Sequence, residues 1–158
     1  SGVMMFALSE PARKVLQQQF KEHSIIRQYR AIVEGVIQEE KGTWKSHLKE
    51  DKYFFVRSNP SGVLAITHFK VLTRSPSHTQ LEIHLETGKK NQVRVHCSEA
   101  GFPIVGDRRY GANTNPLKRL GLHAYLLGFV HPSTSKEMCF KSPLPSKFSH
   151  ISRSCDEA

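Results

Sequence analysis

The sequence predicts an α+β fold with a mixed, largely antiparallel sheet and few helices. Most apolar stretches are short, and several alternate with polar residues at the period of a strand. Only two stretches show the helical period. Strands and helices do not alternate regularly, as they would in a parallel βαβ fold. With 158 residues the chain is long enough for one core, so we expect a single domain over 1–158.

The first two elements are predicted to be a strand and a helix. Residues 3–8 form a short apolar run, which favours a buried strand. Ser9 suits the N-cap of a helix over 10–22, and Pro11 is tolerated in the first helical turn. Because the predicted strand begins almost at the first residue, and that residue is not Met, we expect the domain to be N-terminally truncated.

Five more strands and one more helix are predicted further along the chain. The period changes over 91–100, which indicates a helix, and Gly101 stands where a C′ glycine belongs. The glycine-rich stretch 101–111 is predicted to be a shaped loop, and regular structure is expected to end at 142–145. The predicted strands are 25–35, 63–72, 80–85, 122–130 and 137–141, with a polar hairpin over 35–51 and a turn over 59–62.

The chain is basic, with a formal net charge of +9. Residues 87–120 contain seven basic and two acidic side chains, which is a local net charge of +5. A concentrated positive field suits a polyanion, and nucleic acid is the commonest one. The alternative is a basic protein whose lysines simply face water.

Cysteine, histidine and apolar content exclude several classes of protein. Three cysteines without a CxxC pair argue against a disulfide framework and for a reducing, cytoplasmic location. The nine histidines lack the tight spacing of helical zinc ligands, so no metal site is expected. No apolar run approaches the roughly 20 residues of a membrane-spanning helix, so no membrane partner is expected.

Four stretches, in the right order, resemble the motifs of one enzyme family. They are 1–3, 27–35, 87–111 and 122–145. The sequence resembles the RNA pseudouridine synthases, and within them the RluA-like branch that acts on large-subunit ribosomal RNA and transfer RNA. This resemblance implies the pseudouridine synthase-like catalytic domain and the isomerisation of specific uridines to pseudouridine in structured RNA, without a cofactor. It also implies that the target uridine leaves its stack to reach a pocket.

The resemblance implies roles for individual residues. Tyr29 would stack on the flipped base, and Arg94 would pair with the catalytic carboxylate. Taken alone, Tyr29 could be a half-buried strand tyrosine and Arg94 a surface arginine in a modest salt bridge. However, Arg94 interrupts an apolar stretch, where a charge needs a partner. The basic residues expected to contact RNA phosphates, each of which could instead be a solvated charge, are Lys89, Lys90, Arg108, Arg109, Lys118 and Arg119.

Two features depart from the family pattern. The family's Arg-Thr-His is replaced by 89–91 (Lys-Lys-Asn), which leaves the role of that histidine unfilled. The family's nucleophilic aspartate is followed by two residues and then Thr-Ser-Gly, so it would lie upstream of Ser1. We therefore expect the isolated chain to be inactive. Asp107, in the glycine loop, is expected to stabilise a turn by hydrogen bonding to backbone N–H groups and not to be the nucleophile.

Three further expectations remain open. The missing early strands would leave an uncovered sheet edge and promote self-association. A non-catalytic basic RNA-binding module is the alternative function. A basic domain with a protein partner ranks last, because it leaves the ordered motifs unexplained.

Overall fold

The computed structural model describes residues 1–152, which form one seven-stranded sheet with three α-helices. The strands are β1 (Ile26–Glu34), β2 (Lys41–Glu50), β3 (Val56–Ser58), β4 (Val63–Arg74), β5 (His78–Leu85), β6 (Leu122–Val130) and β7 (Glu137–Lys141). The helices are α1 (Glu10–Lys21), α2 (Gln92–Glu99) and α3 (Ser146–Ser152), with a 3₁₀ turn at Arg108–Tyr110. None of the described helices is both long and apolar enough to span a membrane.

The sheet has the strand order β3-β2-β4-β5-β1-β6-β7, and each neighbouring pair of strands is antiparallel. An isolated parallel bridge joins Gly2 to Ala124 at β6. The predicted α+β class with a largely antiparallel sheet is therefore confirmed. β1 lies between β5 and β6, which places its side chains at the middle of the molecule.

The core lies on both faces of β1, as the alternation of its side chains requires. On one face Ala31 and Val33 pack with Leu81, Val93 and Cys97, and Tyr29 packs against the rim of this cluster. Ile32 on the other face packs with a second cluster of Val105, Leu117 and Phe148.

Most predicted elements are confirmed, and three details are wrong. Residues 3–8 do not form a strand, and the side chains of Met4, Phe6 and Leu8 are 74%, 76% and 97% exposed. Residues 35–51 do not form a hairpin of their own, because they contain the single strand β2, which pairs with β3 and β4. α1 begins after the Ser9 N-cap as predicted. α3 follows the segment where regular structure was expected to end.

Candidate active site

Tyr29 lies in the wall between two adjoining pockets at the centre of the sheet. The first pocket has a volume of about 260 Å³, and its lining includes Val3, Met5 and Arg27. The second has a volume of about 190 Å³, and its lining includes Lys89 and Arg94. Burial raises the pKa of the Tyr29 phenol, with a smaller opposing effect from the Arg27 charge. The ring is therefore neutral at physiological pH and presents a face against which a planar base could stack.

Arg27 shares this cleft, and the sequence analysis did not single it out as a site residue. It precedes Tyr29 by two positions on β1, so the two side chains point to the same face of the sheet. Its Nε is buried and has no hydrogen-bond partner among the described residues, and its guanidinium lies 5.3 Å from the centre of the Phe20 ring. Burial lowers the pKa of Arg27, although an arginine remains charged at neutral pH. The i, i+2 spacing was the signal that could have identified this cation.

Arg94 is held in a bidentate ion pair with Asp107. Its Nε and Nη2 donate to the two carboxylate oxygens at 2.7 and 2.8 Å, and its Nη1 donates to Asn91 at 3.1 Å. The guanidinium also lies 4.7 Å from the centre of the Tyr110 ring. Hydrogen bonding to Asp107 raises the pKa of Arg94. The charge that interrupts the apolar stretch of α2 thus has a partner, as its position required.

The expectation for Asp107 was wrong in its detail. Its side chain is 2% exposed and accepts from Arg94, and no backbone N–H donor to it is found in the described part of the chain. The turn is instead closed by the Asp107 carbonyl oxygen, which accepts from the N–H groups of Tyr110 and Ala112. A carboxylate that is buried in a bidentate pair is unsuited to be a nucleophile, because both of its oxygens are engaged.

Gln92 positions the basic turn at the rim of the second pocket. Its buried amide donates to the Ile66 carbonyl and the Thr67 hydroxyl, both at 2.9 Å. Its carbonyl oxygen accepts from the Thr87 hydroxyl at 2.8 Å and from the Lys89 N–H at 2.9 Å. The first turn of α2 is therefore fixed against β4. The two β4 partners lie 26 and 25 positions away in sequence, so no local pattern marks Gln92.

The predicted basic residues divide into three groups. Lys89 joins Arg94 and Tyr29 in the cleft. Lys90 and Arg109 lie beside the β2–β3 turn, where Lys90 pairs with Glu50 and Arg109 donates to two backbone carbonyls.

The remaining three predicted basic residues lie outside the cleft lining. Arg119 contacts the hydroxyl of Ser1. Arg108 and Lys118 are exposed. The structure thus brings together three of the eight predicted site residues, Tyr29, Lys89 and Arg94, and the other five lie outside the cleft lining.

The N-terminal residues run beside the cleft. The Ala124 N–H donates to the Ser1 carbonyl at 2.8 Å, and the Val3 N–H donates to the Ala124 carbonyl at 2.9 Å. Gly2 has a φ of +115°, and a Cβ there would fall 2.2 Å from the Ala124 oxygen, so only glycine fits. Ala124 is the cross-strand partner of Tyr29. Gly2 is therefore two strand spacings from Tyr29, roughly 10 Å.

Comparison with known proteins agrees with this geometry. The model of the RNA pseudouridylate synthase family matches residues 1–99. An uncharacterized RNA pseudouridine synthase of Bacillus subtilis, YhcT, is 35% identical over 157 residues, which cover 97% of this chain and 52% of the relative. The ribosomal large subunit pseudouridine synthase D of Neisseria meningitidis (strain Z2491) is 34% identical over 166 residues, covering 96% of this chain and 44% of the relative.

A solved structure has the same fold. The human RNA pseudouridylate synthase domain containing 4 protein superposes with a TM-score of 0.76 at 25% identity, covering 95% of this chain and 69% of that chain. The chain belongs to the RNA pseudouridylate synthase family and to its RluA-like branch. It spans about half the length of the curated relatives it matches.

Proposed function

We propose that this protein contributes the base-binding cleft of an enzyme that isomerises uridine to pseudouridine in structured ribosomal or transfer RNA. The observation that carries the proposal is the cleft itself, in which Tyr29 lies between the cations Arg27 and Arg94. In the family reaction the bond from ribose to uracil N1 is broken, the base turns and C5 is joined to the ribose, while C5 loses a proton and N1 gains one.

Each cleft residue has a chemical role in this proposal. The neutral ring of Tyr29 stacks on the flipped uracil. Arg27, which lines the first pocket, is suited to bind an anion such as the phosphate next to the flipped nucleotide. Arg94, fixed by Asp107, presents positive charge to the carboxylate that acts on the ribose or the base.

The nucleophilic carboxylate is proposed to come from a segment that precedes Ser1. Within the described residues, Asp107 is the carboxylate that pairs with Arg94, and it is buried. The Ser1–Val3 backbone runs beside Ala124, the cross-strand neighbour of Tyr29, so an upstream side chain can reach the cleft. The 158-residue chain alone is therefore proposed to be inactive.

Tritium release tests this proposal. RNA carrying tritium at uracil C5 is incubated with a stoichiometric amount of the chain, and with the same chain extended N-terminally through an Asp-x-x-Thr segment and the strands before it. Release only by the extended chain, and its loss on changing that Asp to Asn, is the expected result. Release by the 158-residue chain would contradict the placement of the nucleophile, and Asp107 would then be the first residue to change.

RNA binding without tritium release in either protein would favour the alternative function, a basic RNA-binding module. A Tyr29→Ala variant of the extended chain is expected to lose release, whereas Tyr29→Phe retains the stacking ring and most of the activity. Equal activity of the two variants would remove Tyr29 from the proposed site.

Two further properties are proposed. The exposed side chains of Met4, Phe6 and Leu8 favour self-association of the chain. The free thiols of Cys97 and Cys139 support a cytoplasmic location, where thiols stay reduced.

A further inference from the structure

A second surface with the properties of an RNA contact lies outside the cleft. The turn between β2 and β3, residues 51–55, is here called the aromatic tip. It exposes two adjacent rings, because Tyr53 is 71% and Phe54 is 68% accessible to solvent. Adjacent aromatic side chains that face water have a cost in free energy, and exposed apolar patches often mark interaction sites.

The backbone of the aromatic tip is fixed in the conformation that presents these rings. Phe54 has a φ of +59°, which is rare for a bulky residue. The Asp51 carboxylate accepts from the N–H groups of Tyr53 and Phe55 at 2.8 and 3.1 Å, and the Phe54 N–H donates to the Asp51 carbonyl at 3.0 Å. Strain of this kind persists where the surrounding structure enforces it, and such positions cluster at functional sites.

Arg109 reinforces the same conformation from the glycine loop. Its Nη2 donates to the carbonyl oxygens of Tyr53 and Phe54 at 3.3 and 3.0 Å. Its guanidinium also lies 5.6 Å from the centre of the Phe55 ring. Arg109, which was predicted to contact RNA phosphates, therefore hydrogen-bonds to the backbone that carries the exposed rings.

One lysine lies near each of the two exposed rings. The Lys52 Nζ lies 5.0 Å from the centre of the Tyr53 ring, and the Lys90 Nζ lies 5.3 Å from the centre of the Phe54 ring. The two nearby acids are already paired, Glu50 with Lys90 and Asp51 with Arg57. Ring faces combined with ammonium and guanidinium groups match the chemistry of a nucleotide, which has a planar base and a phosphate.

Ring contacts connect the aromatic tip to the cleft. The Phe55 ring stacks on Tyr110, with centroids 4.6 Å apart, and the Arg94 guanidinium lies 4.7 Å from the Tyr110 ring centre. Lys90, which touches Phe54, follows directly after Lys89 of the cleft. A nucleotide on the aromatic tip and a uridine in the cleft could therefore belong to one RNA strand.

We propose that Tyr53 and Phe54 form a stacking platform for unpaired bases of the substrate RNA, next to the flipped uridine. The identity of the RNA as a substrate rests on the proposed function, but the platform itself does not require catalysis. The surface selects RNA loops whose bases are unstacked and excludes continuous duplex, in which the base faces are covered. A protein ligand that binds through basic side chains is disfavoured, because Glu50 and Asp51 are paired with Lys90 and Arg57 while Lys52 lies near the Tyr53 ring.

Binding of a fluorescein-labelled hairpin RNA to the 158-residue chain tests the platform by anisotropy. The hairpin has a flexible loop that contains a uridine, and a duplex of the same stem serves as the competitor. Tyr53→Ala and Phe54→Ala are each expected to weaken loop binding about 5- to 100-fold and to leave duplex binding unchanged. Phe54→Leu, which keeps apolar bulk without the ring, is expected to lose nearly as much as Phe54→Ala.

Two controls separate stacking from other effects. Phe6→Ala removes an equally exposed ring on another part of the surface and is expected to leave the affinity unchanged. The aromatic variants are expected to keep the salt dependence of binding, whereas Lys52→Ala reduces the slope by about one counterion. Unchanged loop affinity in the Tyr53→Ala, Phe54→Ala double variant overturns the proposal. So does an equal loss with Phe6→Ala.

The two proposals fail in different ways. If the aromatic variants lose loop binding but the extended chain releases no tritium, the platform stands and the proposed reaction fails. If the extended chain releases tritium and the aromatic variants bind loop RNA normally, the reaction stands and the platform is wrong.

Discussion

The α2 region and the N-terminal segment 3–8 show two ways in which an apolar stretch can behave. In α2, Val93 and Val95 are buried, and the polar residues between and beside them have partners. In the N-terminal segment the backbone is tied to β6 near Gly2, and the side chains of alternate residues beyond it face solvent. Apolar residues alone therefore did not determine either conformation. The polar groups of α2 have defined partners, whereas a strand forms only where a neighbouring strand pairs with its backbone.

The largest expected effect comes from breaking the Arg94–Asp107 pair. Arg94→Ala leaves the Asp107 carboxylate buried without its bidentate partner. We expect the free energy of unfolding to fall by about 3 kcal/mol, because an unpaired buried charge is strongly destabilising. Urea denaturation measures the change. Arg108→Ala is the matched control on an exposed residue, and a loss below about 1 kcal/mol for Arg94→Ala would show that the pair contributes little.

A smaller loss is expected from Gln92. Gln92→Met keeps the volume of the side chain but removes four hydrogen bonds to partners on β4 and in the basic turn. Leaving such groups unpaired costs about 2 kcal/mol. Urea denaturation of Gln92→Met is compared with Gln17→Met on the exposed face of α1. Equal stability of the two variants would contradict the expected cost of leaving the partners of Gln92 unpaired.

We expect the free energy of unfolding to depend on pH through His96 in α2. Its ring is buried between Ser46 at 3.0 Å and Thr67 at 2.8 Å, and burial lowers its pKa below the ordinary value of 6.5. As the pH falls through about 6.5, the unfolded chain gains a proton that the folded chain does not. The free energy of unfolding therefore decreases, by at most about 1.4 kcal/mol per pH unit, until the folded pKa is reached.

Urea denaturation at pH 7.5 and pH 5.5 checks the His96 prediction. His96→Gln is expected to remove part of the pH dependence, whereas His47→Gln, on an exposed residue, leaves it intact. If His96→Gln retains the full dependence, another group is responsible.

The fold was predictable where the information is local. The period of the side chains identified β6 and β7 with the bounds that the structure has, and the period change at 91–100 identified α2. The N-cap of α1 was also predictable from the sequence, since the Ser9 hydroxyl accepts from the Ala12 N–H. Tyr29 and Arg94 came from the family resemblance, and the structure places both in one cleft.

The remaining features depend on residues far apart in sequence. The partner of Arg94 lies 13 positions away in a glycine-rich loop, and the partners of Gln92 lie up to 26 positions away. Short α3 is fixed by the burial of Phe148 against Ile32, a contact that no local pattern encodes. The aromatic tip was not predicted, because in the sequence alone Tyr53 and Phe54 resemble ordinary strand residues. Only the structure shows that they lie exposed in a turn.

The smallest expected effect on stability comes from the N-terminal segment. Changing Met4, Phe6 and Leu8 together to Ser removes side chains that are already exposed, so the free energy of unfolding should change by less than about 0.5 kcal/mol. Val93→Ser, a change of one buried residue of α2, should cost far more and is the matched control. Light scattering at high protein concentration measures the other consequence, because the same triple change should reduce self-association of the chain. A wild-type chain that remains strictly monomeric would contradict the self-association proposal. A large loss of stability in the triple variant would show instead that these side chains pack on the folded domain in solution, and the contrast with α2 would no longer hold.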